Sequence, residues 1–200
     1  MSRFTLARTV AAALVLATPL AAAHATFESP AAKAAAADAA EAARADMRAT
    51  FGKRDLANGA HVWKKRDGGA EVTRVVIDLS GQLAFAYAGD DLVGVSTISS
   101  GTDDRPTPTG IFPILEKKRM HRSIKYDNAP MPYMQRLDDF GIAMHGGNLP
   151  GYPASHGCVR LPVAFAAKLF AATEVGAEVM IGAPGEQLAA SGERSRRDRW

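Results

Sequence analysis

Short runs of β-branched and apolar residues, separated by turn residues, dominate the middle of the chain. Residues 72–77 form one such run and lead into the turn sequence Asp-Leu-Ser-Gly at 78–81. Residues 83–87 follow, and a third run at 92–97 comes after a Gly-Asp pair. Runs of this length between turn signals predict strands, and the first two predict a hairpin. This part of the chain must therefore fold as a mostly β structure.

The second half of the chain continues the strand pattern and adds one helix. Pro113 predicts an edge strand or a bulge, because proline cannot donate a hydrogen bond to a neighbouring strand. Residues 163–172 have apolar side chains at helical spacing, with Pro162 at their start. We therefore predict a mainly β fold with one principal α-helix. Further strands are predicted at residues 111–115, 133–137, 141–145 and 177–181.

Composition divides the chain of 200 residues into four parts. Residues 1–25 are apolar with a basic start, and 26–59 are rich in alanine with few large apolar side chains, which predicts a helical or flexible spacer. Residues 60–183 are predicted to form a single folded domain. Residues 184–200 are rich in Gly, Ser, Glu and Arg, which predicts a flexible basic tail.

The amino terminus predicts export. Arg3 and Arg8 precede an apolar run at 10–20, and Ala23-His24-Ala25 is a small-residue cleavage site. We expect a signal peptide cleaved after Ala25, with cleavage after Ala23 or an uncleaved anchor as alternatives, and a mature protein in the periplasm or cell envelope. The run is shorter than the ~20 apolar residues that span a bilayer, so we expect no stable membrane insertion after cleavage.

Charge gives little information about partners. The formal net charge is +3, and removing two arginines with the signal peptide leaves +1. The basic clusters at 64–66, 117–119 and 195–199 lack interleaved aromatic residues, so we expect solvated edges and a tail, and no nucleic-acid partner. The alternative is a weak attraction to an anionic envelope polymer.

The only cysteine, Cys158, lies in the run Ser-His-Gly-Cys-Val-Arg at 155–160. An exported compartment is oxidising, so an unpaired thiol there needs a reason. A buried structural thiol or an intermolecular disulfide would each be one. A nucleophile explains more of the polar, glycine-flanked context, because a neighbouring histidine can take the thiol proton.

A cysteine nucleophile needs a base, a group that orients the base, and donors for the oxyanion. His145 ends a predicted strand and is our first candidate base, with the carbonyl of Gly146 as its orienting group; His156 ranks second. The amides of Gly157 and Cys158 are candidate oxyanion donors. The alternatives are structural histidines, or a zinc site formed by both histidines and the cysteine, for which the sequence offers no fourth ligand. We expect no metal and no cofactor.

These motifs together resemble a known family. His-Gly-Gly at 145–147 followed by Ser-His-Gly-Cys-Val-Arg-Leu at 155–161 resembles the signature of L,D-transpeptidases with a YkuD-type catalytic domain. Ser-Ser-Gly at 99–101 and Thr-Pro-Thr-Gly-Ile-Phe at 107–112 match that family's loop and strand. The resemblance covers roughly residues 70–183 and implies the family's β-sandwich, with the cysteine and both histidines at one end of a groove.

The resemblance also implies roles for single residues. Cys158 would be the nucleophile and His145 its base, while His156 and Gly157 would shape the oxyanion side. The remaining candidates are substrate-binding residues. Arg160 would order the loop or meet a substrate carboxylate, with a structural salt bridge as the alternative. Ser155 would brace the loop or bond His145, Gly146 would flank the base, and Tyr133 would line the groove unless it serves aromatic packing.

The implied substrate is a peptidoglycan stem tetrapeptide. The enzyme would acylate on the third, L-configured centre, release the terminal D-alanine, and pass the acyl group to an amine acceptor: a second stem peptide, a D-amino acid or an envelope protein lysine. The alternatives are hydrolysis by a carboxypeptidase or amidase, and a non-catalytic wall-binding protein. Only ten residues separate the two histidines, fewer than in many family members, so we expect an open acceptor side.

Overall fold

Two β-sheets and two helices make up the computed structural model, which describes residues 27–64 and 71–185. The mainly β fold and the principal helix after Cys158 are confirmed. The predicted signal peptide and nearly all of the predicted tail lie outside the described residues. The strands are β1 (His61–Trp63), β2 (Val72–Asp78), β3 (Leu83–Ala88), β4 (Asp91–Thr97), β5 (Gly110–Pro113), β6 (Glu116–Arg122), β7 (Pro130–Arg136), β8 (Ala143–Gly146), β9 (Val159–Leu161) and β10 (Thr173–Gly182); the helices are α1 (Pro30–Phe51) and α2 (Val163–Ala172).

The larger sheet has six strands in the order β1-β4-β3-β2-β10-β5. The predicted hairpin is present, with Val76 of β2 opposite Phe85 of β3 in antiparallel register. The closing strand β10 runs parallel to β2 and antiparallel to β5. Pro113 lies in β5 at the edge of this sheet, as predicted, so its missing N–H costs no ladder bond.

The smaller sheet has four strands in the order β6-β7-β8-β9, and its last pair, β8 and β9, is parallel. The main apolar core lies between the two sheets and α2. Val75 and Val179 enter it from the larger sheet, Met144 and Val159 from the smaller one, and Phe165 from the helix, and all five are fully buried. The core fixes β8 and β9, which carry the candidate site residues, against a rigid support.

The Ala-rich segment forms α1, a helix that packs on the outer face of the larger sheet. Ser29 caps its amino terminus by accepting a hydrogen bond from the Ala32 amide at 3.2 Å. Ala40, Ala43 and Met47 are fully buried and form a second apolar cluster with sheet residues such as Phe85. Alanine side chains are short enough to bring the helix backbone close to the sheet. Of the two alternatives for this segment, the structure therefore shows the helix.

Three strands escaped sequence reasoning because each lacks a strand signal. β1 and β9 have only three residues each, and β6 is the charged sequence Glu-Lys-Lys-Arg-Met-His-Arg. β6 nonetheless pairs along its length with β7 and forms the sheet edge, where charged side chains remain in water. Within the cluster at 117–119, for which we predicted a solvated edge, Lys118 and Arg119 are exposed, whereas Lys117 is half-buried and donates to the Thr173 carbonyl.

No helix within residues 27–64 and 71–185 is long and apolar enough to cross a membrane.

Candidate active site

The parallel pairing of β8 with β9 brings the predicted nucleophile and base to one face of the smaller sheet. Met144 pairs with Val159 and His145 with Arg160, and Cys158 directly precedes β9. Side chains alternate along a strand, and paired residues of neighbouring strands point to the same side. Met144 and Val159 enter the core, so Cys158, His145 and Arg160 share the opposite face.

His145 is held in one tautomer by its own backbone. Its Nδ1 lies 2.9 Å from the Gly146 carbonyl oxygen, the orienting group that the sequence predicted. A carbonyl only accepts, so Nδ1 carries the proton and Nε2 is left as the basic nitrogen. Burial lowers the pKa of His145; the bond to Gly146 opposes this shift, and the nearby Arg160 and His121 add to it. The imidazole is therefore neutral at neutral pH.

The Cys158 thiol is half-buried beside Met131, Met134 and Ala143. Its Sγ lies 3.5 Å from the carbonyl oxygen of Gly141, to which the thiol donates. Burial raises the pKa of Cys158. The hydrogen bond from the Ala143 backbone lowers it, the charge of Asp138 raises it and that of Arg160 lowers it. At rest the site thus holds a neutral thiol and a neutral imidazole, rather than an ion pair.

Ser155 braces the loop that presents the cysteine. It is 1% exposed, its Oγ donates to the Cys158 carbonyl at 2.5 Å, and it accepts from the Gly157 amide at 3.1 Å. The Gly157 amide, a predicted oxyanion donor, is therefore engaged inside the loop at rest. Gly157 has φ +107°, and a Cβ there would lie 2.8 Å from Cδ1 of Ile142, so the position favours glycine.

The structure places His156 on the outer side of the same loop. Its ring is exposed and stacks on Tyr126, with centroids 4.2 Å apart and planes 20° from parallel. The Arg105 guanidinium lies 5.7 Å from the centre of the Tyr126 ring. His156 is thus tied to the turn between β6 and β7, whereas His145 shares the sheet face of Cys158.

Arg160 and Gly146 lie beside His145. Arg160 is half-buried and joined to Ser99 by two backbone hydrogen bonds of 3.0 Å, and its side chain runs past Gly147. Gly146 is buried, and a Cβ there would lie 3.2 Å from Pro132 Cγ. The backbones of both residues therefore help to hold the strands together, and both residues lie within the candidate site.

Tyr133 packs toward α2. Its ring centre lies 5.9 Å from that of Phe170 in α2, and the Arg119 guanidinium lies 5.7 Å from the Tyr133 ring. Its backbone has φ +57°, which is unusual for a bulky side chain. Of the two interpretations offered for Tyr133, these contacts favour aromatic packing.

A clamp around the cysteine loop was not predicted as such. The Ser100 carbonyl accepts from the amides of Ala154 and Ser155 at 3.0 and 2.9 Å. Thr107 Oγ1 donates to the Gly157 carbonyl at 2.9 Å and accepts from the Gly101 amide at 2.9 Å. The signal in the sequence was the pair of segments at 99–101 and 107–112, which carried the family resemblance without revealing these bonds.

Asp138 was also missed. It is 6% exposed and lies in the turn between β7 and β8, and its charge acts on the Cys158 thiol. Its one sequence signal was an Asp-Asp-Phe-Gly turn sequence at 138–141, which is common in loops without catalytic roles.

Within the two described ranges, no group of three or more His, Cys, Asp or Glu side chains is arranged to hold a metal ion.

Comparison with known proteins agrees with the geometry. The sequence model of the YkuD family, described as the L,D-transpeptidase catalytic domain, matches residues 72–181. No curated protein sequence matches the chain.

Solved structures give the same fold. An L,D-transpeptidase from Stackebrandtia nassauensis is 24% identical with a TM-score of 0.52, covering 62% of this chain and 60% of its own. One from Xylanimonas cellulosilytica is 27% identical with a TM-score of 0.51, covering 60% and 64%. L,D-transpeptidase 3 from Mycobacterium tuberculosis, in complex with a faropenem-derived adduct, is 23% identical with a TM-score of 0.51, covering 57% and 61%. The chain thus spans about three fifths of the length of these proteins.

Proposed function

Because the chain belongs to the YkuD family of L,D-transpeptidase catalytic domains, we propose that it joins peptidoglycan stem peptides through a thioester on Cys158. The donor is a stem tetrapeptide, and an amine acceptor completes the transfer. The observation that carries the proposal is the β8–β9 register, which puts the only cysteine on the same face as a histidine whose Nδ1 is bonded to Gly146. That arrangement supports a thiol nucleophile with a positioned base.

The acylation step follows from these protonation states. His145 Nε2 takes the proton of the Cys158 thiol as the sulfur attacks the carbonyl carbon at the third residue of the donor. The tetrahedral intermediate collapses when the imidazolium returns this proton to the departing D-alanine amine, which leaves a thioester. A neutral thiol and a neutral imidazole at rest suit this order of steps, because the proton moves only when a substrate is present.

The second half of the reaction reverses these roles. An acceptor amine attacks the thioester carbonyl and gives a proton to His145, and the sulfur leaves and regains that proton as a thiol. A water molecule in place of the amine gives a trimmed tripeptide instead. We place the acceptor on the side of the site formed by the ten-residue segment between the histidines. We propose that this side decides whether an amine or water reaches the thioester.

The other site residues support this pair. We assign Arg160 to a carboxylate of the donor, because its guanidinium lies on the face of His145. Ser155 and Gly146 act on the substrate indirectly, the first by bracing the cysteine loop and the second by orienting the base. Tyr133 forms the wall between the sheet and α2, and His156 forms the outer side of the loop.

The same proposal extends to organisation and location. We propose that residues 60–183 are the catalytic domain and that 26–59 add α1 as an outer layer. Residues 1–25 direct export, so that the mature protein works in the periplasm or cell envelope. Amino-terminal sequencing of the mature protein would find a start at residue 26, or at 24 for the alternative cleavage.

The test is incubation with purified disaccharide-tetrapeptide, with and without an added D-amino acid, followed by mass analysis. Joined or exchanged products from the wild type, absent with Cys158→Ala, support transfer, whereas tripeptide alone supports hydrolysis. Intact-mass analysis after faropenem is a second readout, chosen because the Mycobacterium tuberculosis L,D-transpeptidase 3 structure holds a faropenem-derived adduct. A folded wild-type protein that gives neither product nor adduct would contradict an enzymatic role.

A further inference from the structure

The turn between β7 and β8 is closed around one buried carboxylate. Asp138 Oδ1 accepts hydrogen bonds from three successive amides, those of Phe140, Gly141 and Ile142, at 2.9, 2.8 and 2.8 Å. The Leu137 amide donates to the Ile142 carbonyl at 2.9 Å and closes the turn from the other side. Hydrogen bonds to a charged acceptor are stronger than those between neutral groups, so this carboxylate sets the turn's conformation.

The turn in turn sets the surroundings of the cysteine. With its amide bound to Asp138, Gly141 directs its carbonyl toward Cys158, and the thiol donates to that oxygen at 3.5 Å. Ile142 fills the space next to Gly157, directly before the cysteine. A carbonyl oxygen can pair with S–H but repels a thiolate, so the contact favours the protonated sulfur.

The groups around the Cys158 sulfur differ in the direction in which they shift its pKa. Burial is the largest cause of the raised pKa of the Cys158 thiol, and the hydrogen bond from the Ala143 backbone opposes it; the negative charge of Asp138 raises this pKa and the positive charge of Arg160 lowers it. His145, on the same sheet face, is neutral at neutral pH. The remaining neighbours, Met131 and Met134, are apolar and add no charge.

We propose that Asp138 is a positioning residue that keeps the Cys158 thiol protonated until a substrate arrives, both by holding the Gly141 carbonyl against it and by placing a negative charge near it. This inference rests on the proposed role of Cys158 as the nucleophile. Its consequence is a thiol that reacts slowly with oxidants and stray electrophiles, because the thiolate is the reactive form. Deprotonation then occurs together with attack on the bound substrate.

The test measures how fast iodoacetamide alkylates the full-length protein as a function of pH. Cys158 is the only cysteine, so the signal reports a single site. Asp138→Asn keeps an oxygen acceptor for the three amides but removes the charge, and Asp138→Ala removes both. Asp139→Asn is the matched control, because Asp139 is exposed and bonded to Arg136 instead.

We expect the pH midpoint of alkylation to be highest in the wild type, lower in Asp138→Asn and lowest in Asp138→Ala. At pH 7 this raises the rate by about 3-fold and about 10-fold, since one unit of pKa is a factor of ten in thiolate. Asp139→Asn keeps the wild-type midpoint. Greater access of iodoacetamide to the thiol would raise the plateau rate without moving the pH midpoint. A change in access can therefore be told apart from a change in the pKa of the thiol.

Unchanged midpoints in the Asp138 variants would overturn the proposal, and Asp138→Asn alone decides if Asp138→Ala does not fold. Alkylation needs no wall peptide, so this result is independent of the proposed activity. Turnover of disaccharide-tetrapeptide is measured on the same samples. It tests the transpeptidase proposal separately, so either proposal can fail while the other stands.

Discussion

At the scale of single residues, burial and one backbone hydrogen bond define the chemistry of the Cys158 and His145 pair. Burial moves both pKa values toward the neutral forms, up for the thiol and down for the imidazole. The Gly146 carbonyl then decides which nitrogen of His145 accepts a proton. These directions are those expected of the general-base mechanism that we propose, in contrast to cysteine enzymes that store a thiolate–imidazolium pair.

The proposed mechanism predicts how the rate of acyl transfer falls at acid pH. His145 must be neutral to take the thiol proton, and the pKa of His145 lies below its ordinary value of about 6.5. We therefore expect kcat/KM for acyl transfer to stay level as pH falls from 8 to 7, and to decline with a midpoint below 6.5. Initial rates on disaccharide-tetrapeptide across pH 4.5–9 measure this. A midpoint above 7 would mean that the imidazole is stabilised in its charged form.

The two histidines should differ sharply when replaced. We expect His145→Ala to reduce the rate of acylation of Cys158 by ~100-fold or more, as for loss of a general base. His156→Ala removes the stack on Tyr126 and a charge interaction with the exposed Asp104, and should stay within about tenfold of wild type, since stacking contributes of order 1 kcal/mol. Single-turnover acylation by faropenem, followed by intact mass, compares them directly. If the order were reversed, His156 would be the base.

At the scale of elements, one ion pair fastens α1 to the larger sheet. Asp78 at the end of β2 is fully buried, and its two oxygens accept from Arg44 Nε and Nη2 at 2.6 and 2.9 Å. The Gly81 amide donates to the same carboxylate at 2.9 Å. Side-chain hydrogen bonding to Asp78 is the main cause of a raised pKa for Arg44. The pair therefore fixes where along the sheet the helix lies.

Breaking this pair should cost stability. Arg44→Ala leaves a buried carboxylate without its cation, and since Arg44 is partly exposed we expect a loss of about 2 kcal/mol in the free energy of unfolding, below the range for fully buried pairs. Glu41→Ala is the control, because Glu41 is exposed and 4.0 Å from Arg44 and should change stability by less than about 0.5 kcal/mol. Urea unfolding measures both. Equal losses would show that Arg44 contributes only surface charge.

At the scale of the whole molecule, α1 lies outside the family match at 72–181, yet it completes the fold. It covers the outer face of the larger sheet, where Val76, Phe85 and Val95 are buried. Phe27, just before the helix, packs on Phe112 of β5 with ring centres 6.4 Å apart. Residues from 27 onward thus act as a layer of the domain.

Removing residues 27–51 should therefore expose a contiguous apolar surface. We expect the truncated protein to aggregate or to unfold at a lower temperature, because exposed apolar patches of this kind drive association. Size-exclusion chromatography with light scattering, together with a thermal melt, tests this. A monomeric truncated protein with the wild-type melting temperature would show that the helix adds nothing to the domain.

The sequence by itself determined most of the strands, the helix at 163–172 and the family, and it supplied Cys158 and His145 as the candidate nucleophile and base that we propose. These follow from local patterns, namely β-branched runs, turn residues and a histidine–glycine–cysteine motif, which are visible without contacts. β6 and the packing of α1 remained hidden, because a charged edge strand and an alanine helix have no strong local signal.

Tertiary structure alone decided the rest. The register of β8 against β9 places His145 on the face of Cys158, whereas the ring of His156 lies outside and stacks on Tyr126. The buried carboxylate of Asp138 and the clamp at Thr107 act through backbone groups distant in sequence or hidden in a turn. Burial, which sets the protonation of the thiol and imidazole, exists only once the sheets have closed over the core.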